Sequence, residues 1–295
     1  MDRLAENLVL GLLNGGLYAL LGMGIVLVYK ATKVVSLAHG QIVFFGAYFL
    51  WFLYTGFHIP LWLSVPLALA VTALLGLVIE RLTIHPLIGQ PLFSVFLITI
   101  AVFMALDGIA QMILKGDIRV YKPALFPTEP LMVGGIAISP TALAGFGAAL
   151  LVALALAAFF RRTALGLEMR ITAEDHMTAQ SMGLGVKRVF SLIWAISAMV
   201  TGIAGIFLGT SLSIYYMLPM IGFKGLIVAL FGGLESLSGA LVGGLLLGML
   251  EGLTGGYIEP LVGGGFREVS AYALLLIILL VRPYGLFGLK RIERI

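Results

Sequence analysis

The stretch RRTALGLEMRITAEDHMTAQSMGLGVKRV, Arg161 to Val189, divides a chain that is otherwise almost continuously apolar. It is the only long polar interval followed by a return to hydrophobic sequence, and it sets Arg161, Arg162, Arg170, Lys187 and Arg188 around Glu168, Glu174 and Asp175. Thr172 stands where it can cap a helix, with Asp175 three positions on, and Gly183 and Gly185 supply a stop. The spacing predicts a helix of roughly ten residues, about 15 Å long. That is far short of the ~30 Å hydrocarbon core of a bilayer. Ala173, Met177 and Ser181 lie along one face with Met182 beside them, an apolar stripe suited to a groove on a soluble partner. The stretch, about 161–189, therefore reads as a cytoplasmic docking loop, against the plainer alternative of a solvated helical connector.

Outside this loop the composition is that of a membrane. Hydrophobic residues make up 61% of the 295 and charged residues 11%, against about 25% charged in a soluble domain; the mean hydropathy is +1.11. Thirty-eight glycines supply the small faces that membrane helices need, since lipid gives no hydrophobic reward for helix association. The absence of cysteine excludes disulfides, thiolate metal sites and cysteine nucleophiles. A net charge of +4, carried at span ends, implies no nucleic-acid partner.

Apolar segments fall at Leu8–Tyr29, Leu37–Tyr54, Pro60–Ile79, Leu92–Leu114, Pro140–Phe160, Phe190–Leu212, Gly222–Leu234, Gly239–Tyr257 and Val269–Val281. The first reads as a span rather than a cleaved leader, because its apolar run is long for one. Gly222–Leu234 barely spans, and with the next segment it could form a re-entrant hairpin. The fold class is an all-α polytopic membrane protein of about 8–9 transmembrane or re-entrant helices, one domain over residues 1–295. Twelve Lys and Arg lie on one side of this scheme and five on the other, with Lys224 inside a segment. The richer side is the cytoplasm, which puts the amino terminus outside and the carboxyl terminus inside. Trp51, Trp62 and Trp194 fall near span ends, as an aromatic belt would place them. On the outer side, residues 115–139 hold apolar runs about Gly134-Gly135, which suggests a two-stranded ribbon. It is either a contact for an external protein or a cap over the helices.

No catalytic constellation is present. The chain has no Gly-Lys dipeptide and so no Walker A loop, and its histidines lack HExxH spacing; it is expected to be no enzyme and to hold no cofactor or metal. Asp107 and Glu251 are carboxylates inside spans, where charge is expensive and usually functional. A proton-coupled secondary transporter would use them as a relay. Neither has a Lys or Arg at helical spacing, which favours acids that are paired or hydrogen-bonded within the bundle. Asn14 and His39 are further polar groups that could line a path or satisfy loose backbone. Gly244, Gly248, Gly252 and Gly256, like Gly205 and Gly209, recur every four residues and make flat packing faces, within the chain or at a subunit interface. No internal repeat is visible.

Four blocks in order resemble the permeases of branched-chain amino acid (leucine, isoleucine, valine type) ABC importers. They are NGGLYALLGMGIVLVYKATKVVSLAHGQIVFFGAY from Asn14 to Tyr48, the docking stretch with Ala173, Asp175, Ala179 and Gly183, FKGLIVALFGGLESLSGALVGGLLLGMLE from Phe223 to Glu251, and VRPYGLFG from Val281 to Gly288. Ile171-Thr172 departs from the Ala-rich sequence expected there. The resemblance implies an ABC importer permease fold in a bacterial inner (plasma) membrane, moving branched-chain or related amino acids, urea or short amides by alternating access. It implies as partners a second related permease, a periplasmic or extracellular solute-binding protein, and two cytoplasmic ATPase subunits that bind the ATP. It assigns ATPase coupling to Ala173, Glu174, Asp175, Ala179 and Gly183.

Overall fold

The computed structural model describes residues 3–87, 90–174, 179 and 181–288. Each of the nine apolar segments is a helix: α1 (Arg3–Thr32), α2 (His39–Trp51), α3 (Leu61–Ile79), α4 (Leu92–Leu114), α5 (Pro140–Arg162), α7 (Val186–Leu212), α8 (Leu218–Gly232), α9 (Leu237–Leu253) and α11 (Phe266–Val281). Between them lie α6 (Ala164–Glu174) and the single turn α10 (Glu259–Val262). Among the described residues six helical stretches are long and apolar enough to cross a membrane, α9 counting together with its continuation through α10 to Val262; α2, α8 and α11 are shorter. Proline marks several starts, its fixed φ suiting a first turn that needs no N–H. Pro60 and Pro91 precede α3 and α4, and Pro140 and Pro219 sit in the first turns of α5 and α8.

The ribbon forms as expected. Strand β1 (Leu131–Val133) pairs antiparallel with β2 (Ile136–Ile138) about Gly134-Gly135, both glycines at positive φ, as a two-residue hairpin turn requires. Ile136 and Ile138 bury against Val9, Leu10 and Leu13 of α1, while β1 stays exposed.

α1 and α7 are buried over most of their length; α3, α4 and α5 turn much of their apolar surface outward. Glycines set the central contacts. α1 runs antiparallel to α9, with Gly11 against Gly248 and Gly15 against Gly244, so close that a Cβ on Gly11 would lie 2.5 Å from Gly248 O. α7 runs antiparallel to α3 in the same way, where a Cβ on Gly76 would lie 2.7 Å from Trp194 O. α1 also packs on α8, and α7 on α2, through Gly225 against Leu21 and Gly46 against Gly202. Thus α1, α2, α3 and α4 make one set of pairings, and α7, α8, α9 and α11 repeat it with the chain running the opposite way. The repeat that sequence did not reveal is present as an inverted one, carried by helix order and not by matching residues.

In both units the second helix starts inside the bundle. α2 begins at His39, beside Ser197 in the middle of α7, and α8 begins beside α2, where a Cβ on Gly222 would lie 2.5 Å from Gly40 Cα. α8 is not half of a hairpin confined to one face. The chain before it, at Ile214, pairs with Arg119 by backbone hydrogen bonds of 2.8 and 2.9 Å. The chain after it, at Glu235, meets Lys33 beyond the opposite end of α1 at 2.7 Å.

Two expectations need correction. Trp194 belongs to no interfacial belt: it is fully buried, 5.5 Å from the His39 ring, because α7 begins earlier than its apolar run and the inward start of α2 covers that level. Trp62 is 77% exposed, and Trp51 donates to Val120 O at 3.0 Å beneath the Arg119 guanidinium. Thr172 caps nothing; it is buried inside α6. Thr163 caps α6, accepting from Gly166 N at 2.9 Å; of the helix expected after Thr172, residues 175–178 and 180 lie outside the described residues.

Candidate functional site

The polar residues singled out above fall in three places. The first joins α1, α8 and α9. Lys224 of α8 and Glu251 of α9 form an ion pair, with Nζ 2.7 Å from Oε1 and their side chains 15% and 4% exposed. Nζ donates to Oε2 at 3.0 Å and to the Tyr18 hydroxyl at 3.3 Å; Tyr18 in turn donates to Oε2 at 2.7 Å. Nζ approaches Oε1 off the hydrogen-bonding direction, so that oxygen keeps a Coulombic contact and no hydrogen bond. Pairing is what makes two charges tolerable there.

Lys224 and Tyr18 also line a cleft of about 340 Å³, together with Asn14 and Tyr215, and with Arg267 and Glu268 from the first turn of α11. Leu17, Leu208, Leu212 and Ile221 form its apolar walls. A second cavity of about 360 Å³ shares Lys224 and Glu268 and runs along α8 and α11 past Tyr272.

The second place is Asp107 on α4. Gln41 of α2 donates to its Oδ1 at 2.9 Å, and Gln111, one turn on, to its Oδ2 at 2.6 Å. The third lies where α1, α2 and α7 meet. The Ser197 hydroxyl donates to Gly24 O at 2.6 Å, and His39 Nε2 lies 2.6 Å from Ser197 Oγ. With the serine proton committed to Gly24, His39 carries its proton on Nε2 and donates it. His39 thus meets a side chain, and Ser197 satisfies the backbone.

The sequence reasoning singled out Asn14, His39, Asp107 and Glu251. The structure brings Asn14 and Glu251 to one site, Glu251 behind the cleft that Asn14 lines, and holds Asp107 and His39 in separate clusters. It missed Lys224 as the partner of Glu251, because the pair joins adjacent helices and not one helix face. A lysine alone in an apolar segment was the available signal. Of the glycines, Gly244 packs on Ala19, Gly248 on Gly11 and Gly15, Gly252 on Asn7 and Gly11, and Gly256 on the Asn7 side chain. This is the reading of contacts within the chain.

Among the docking-loop residues, Ala173 and Ala179 are buried and face the bundle. Glu174, Met182 and Gly183 are exposed, and Gly183 adopts φ +80 with open space about its Cα. Asp175 and Met177 lie outside the described residues.

The last two sequence blocks singled out above meet in space. Leu286 N and Phe287 N donate to Phe231 O and Gly232 O at 2.9 and 3.0 Å, closing the tail over the end of α8.

Residues 7–282 match the family described as branched-chain amino acid transport system / permease component. The chain is 30% identical over 98% of its length, and 97% of the relative's, to the high-affinity branched-chain amino acid transport system permease protein BraD of Pseudomonas aeruginosa. It is 30% identical over its full length, and 97% of the relative's, to the probable branched-chain amino acid transport permease protein LivH of Methanocaldococcus jannaschii. It is also 27% identical, over 84% of its length and 70% of the relative's, to the fructose import permease protein FruF of Bifidobacterium longum.

Proposed function

Because the chain belongs to the family of branched-chain amino acid transport system permease components, we infer that it is the membrane-spanning subunit of an ATP-driven importer of branched-chain or related amino acids. In this reading it lies in a bacterial inner membrane, amino terminus outside, and pairs with a second related permease. A solute-binding protein delivers to the Arg119 face, and two ATPase subunits grip the opposite one. The observation that carries the reading is the crossing of the starts of α2 and α8 at Gly40 and Gly222. Two helices that begin inside the bundle, from opposite faces and in inverted units, give a structure in which either face can open while the other stays closed.

The coupling surface in this reading is the exposed part of the loop, Glu174, Met182 and Gly183, together with Asp175, which the family resemblance assigns to it. Ala173 and Ala179 act from within, tying the loop to the bundle so that a push on it moves α5 and α7. ATP binding closes the ATPase dimer, the loop moves as a lever, and the bundle changes the side on which it is open.

The test is reconstitution in vesicles with the ATPase subunits and the binding protein. Leucine uptake is expected to follow internal ATP and to survive a protonophore, and Gly183→Leu is expected to leave ATP hydrolysis running while uptake falls. Uptake that persists without ATPase partners and collapses with the proton gradient would replace this reading with a proton-coupled carrier using Asp107 and Glu251.

A further inference from the structure

We propose that the cleft between α1, α7, α8 and α11 is a subsite for an α-amino acid zwitterion with an aliphatic side chain, built by this single chain. The proposal rests on the amino-acid reading above and deepens it. The cleft presents both signs of charge within one enclosure: Lys224 at its base and Arg267 and Glu268 at its rim. Its walls of Leu17, Leu208, Leu212 and Ile221 give a branched side chain apolar surface to lie on. A simple anion would be repelled by Glu268 and a simple cation by Lys224 and Arg267; a molecule that carries both charges meets both.

Lys224 is the anchor for the carboxylate. An ammonium has three donors; Glu251 Oε2 and Tyr18 occupy two of them, which leaves one for the cleft that Lys224 lines. Glu251 is a positioning residue: it lies behind the lysine, pairs with it and points it forward. Glu268, on the first turn of α11, takes the ammonium. The second cavity shares Lys224 and Glu268, so both side chains that hold the solute also border the space along α8 and α11.

The chain has no cysteine, so Ser211→Cys places a single thiol on the cleft wall. Its alkylation is followed in the purified full-length chain in lipid nanodiscs. Leucine at tenfold its half-effect concentration is expected to slow labelling about tenfold, as mass action gives. Leucinamide, which lacks the carboxylate, and 4-methylpentanoate, which lacks the ammonium, are expected to leave it unchanged. Glu268→Gln is expected to raise the leucine concentration for half protection about tenfold or more, the scale of one charge-assisted hydrogen bond. Lys224→Met with Glu251→Gln removes both buried charges together and is expected to abolish protection.

Labelling unaffected by leucine, or slowed equally by all three compounds, overturns the subsite. If the double variant fails to fold, Glu268→Gln and the ligand series still decide. ATP-driven leucine uptake in vesicles together with unprotected labelling sinks the subsite and spares the transport function; protection without ATP-driven uptake does the reverse.

Discussion

Glu251 and Asp107 are both carboxylates inside the bundle, and their surroundings solve the same problem in opposite ways. Glu251 sits on α9, the helix most tightly docked on α1, and faces a lysine from a third helix. Asp107 sits on the outward-turned α4, where the neighbouring Gly108 has nothing within 4 Å, and two glutamine amides hold it. A close-packed site leaves little room for water to solvate a charge, and the lysine offsets that cost at Glu251. A looser, half-buried site lets amide dipoles and nearby solvent do the same work. Between these two acids the difference in burial goes with the difference in partner.

The contrast can be broken most sharply at Lys224. Lys224→Met leaves Glu251 enclosed and uncompensated and is expected to cost about 3–5 kcal/mol, with most of the loss regained in the double variant with Glu251→Gln. Unfolding titrations of the purified proteins measure both, and a stable single variant would mean that water reaches Glu251. Packing gives the next largest effect. Gly248→Leu drives a side chain into Gly11 and Gly15 and is expected to destabilise by about 1–3 kcal/mol, whereas Gly108→Leu is expected to stay within about 0.5 kcal/mol. Equal shifts in melting temperature for the two would remove the distinction between α9 and α4.

At Asp107 the expected loss is smaller. Asp107→Asn keeps the shape and weakens two hydrogen bonds, one within α4 and one from α2, the latter of a kind worth about 0.6 kcal/mol between membrane helices, so stability falls by roughly 1 kcal/mol and ATP-driven uptake continues. Uptake abolished by this change, with folding intact, would move Asp107 into the transport mechanism. Last comes the Lys33–Glu235 pair, about one-fifth exposed on each side chain. A double-mutant cycle to alanine is expected to give a coupling of about 0.2–1 kcal/mol, far below that of the same charge types at Lys224 and Glu251.

Much of this was legible before any coordinates. Apolar runs gave nine helices with most boundaries close, since a membrane helix must be long, apolar and internally hydrogen-bonded. Gly134-Gly135 gave the hairpin, because only that turn chemistry fits. The capping role fell to Thr163 and not to Thr172, because the two offer the same capping chemistry and only packing chooses between them. Trp194 was misplaced because an apolar run marks where hydrophobic residues start, not where a helix starts. The charged site was half legible: Glu251 and Asn14 stood out as polar groups in apolar helices, while Lys224, Arg267 and Glu268 join them only when α8 and α11 come alongside.

What the amino-acid sequence determined by itself was local: which segments enter an apolar phase, where small residues flatten a helix face, and where turns are cheap. These follow from the chemistry of each residue and its near neighbours. The tertiary structure alone decided which glycine faces meet, that two units run in opposite directions, that α2 and α8 begin inside the bundle, and that Lys224 stands against Glu251. Each of these is a relation between segments far apart in the chain, and in lipid such relations are settled by close packing and by the pairing of charges.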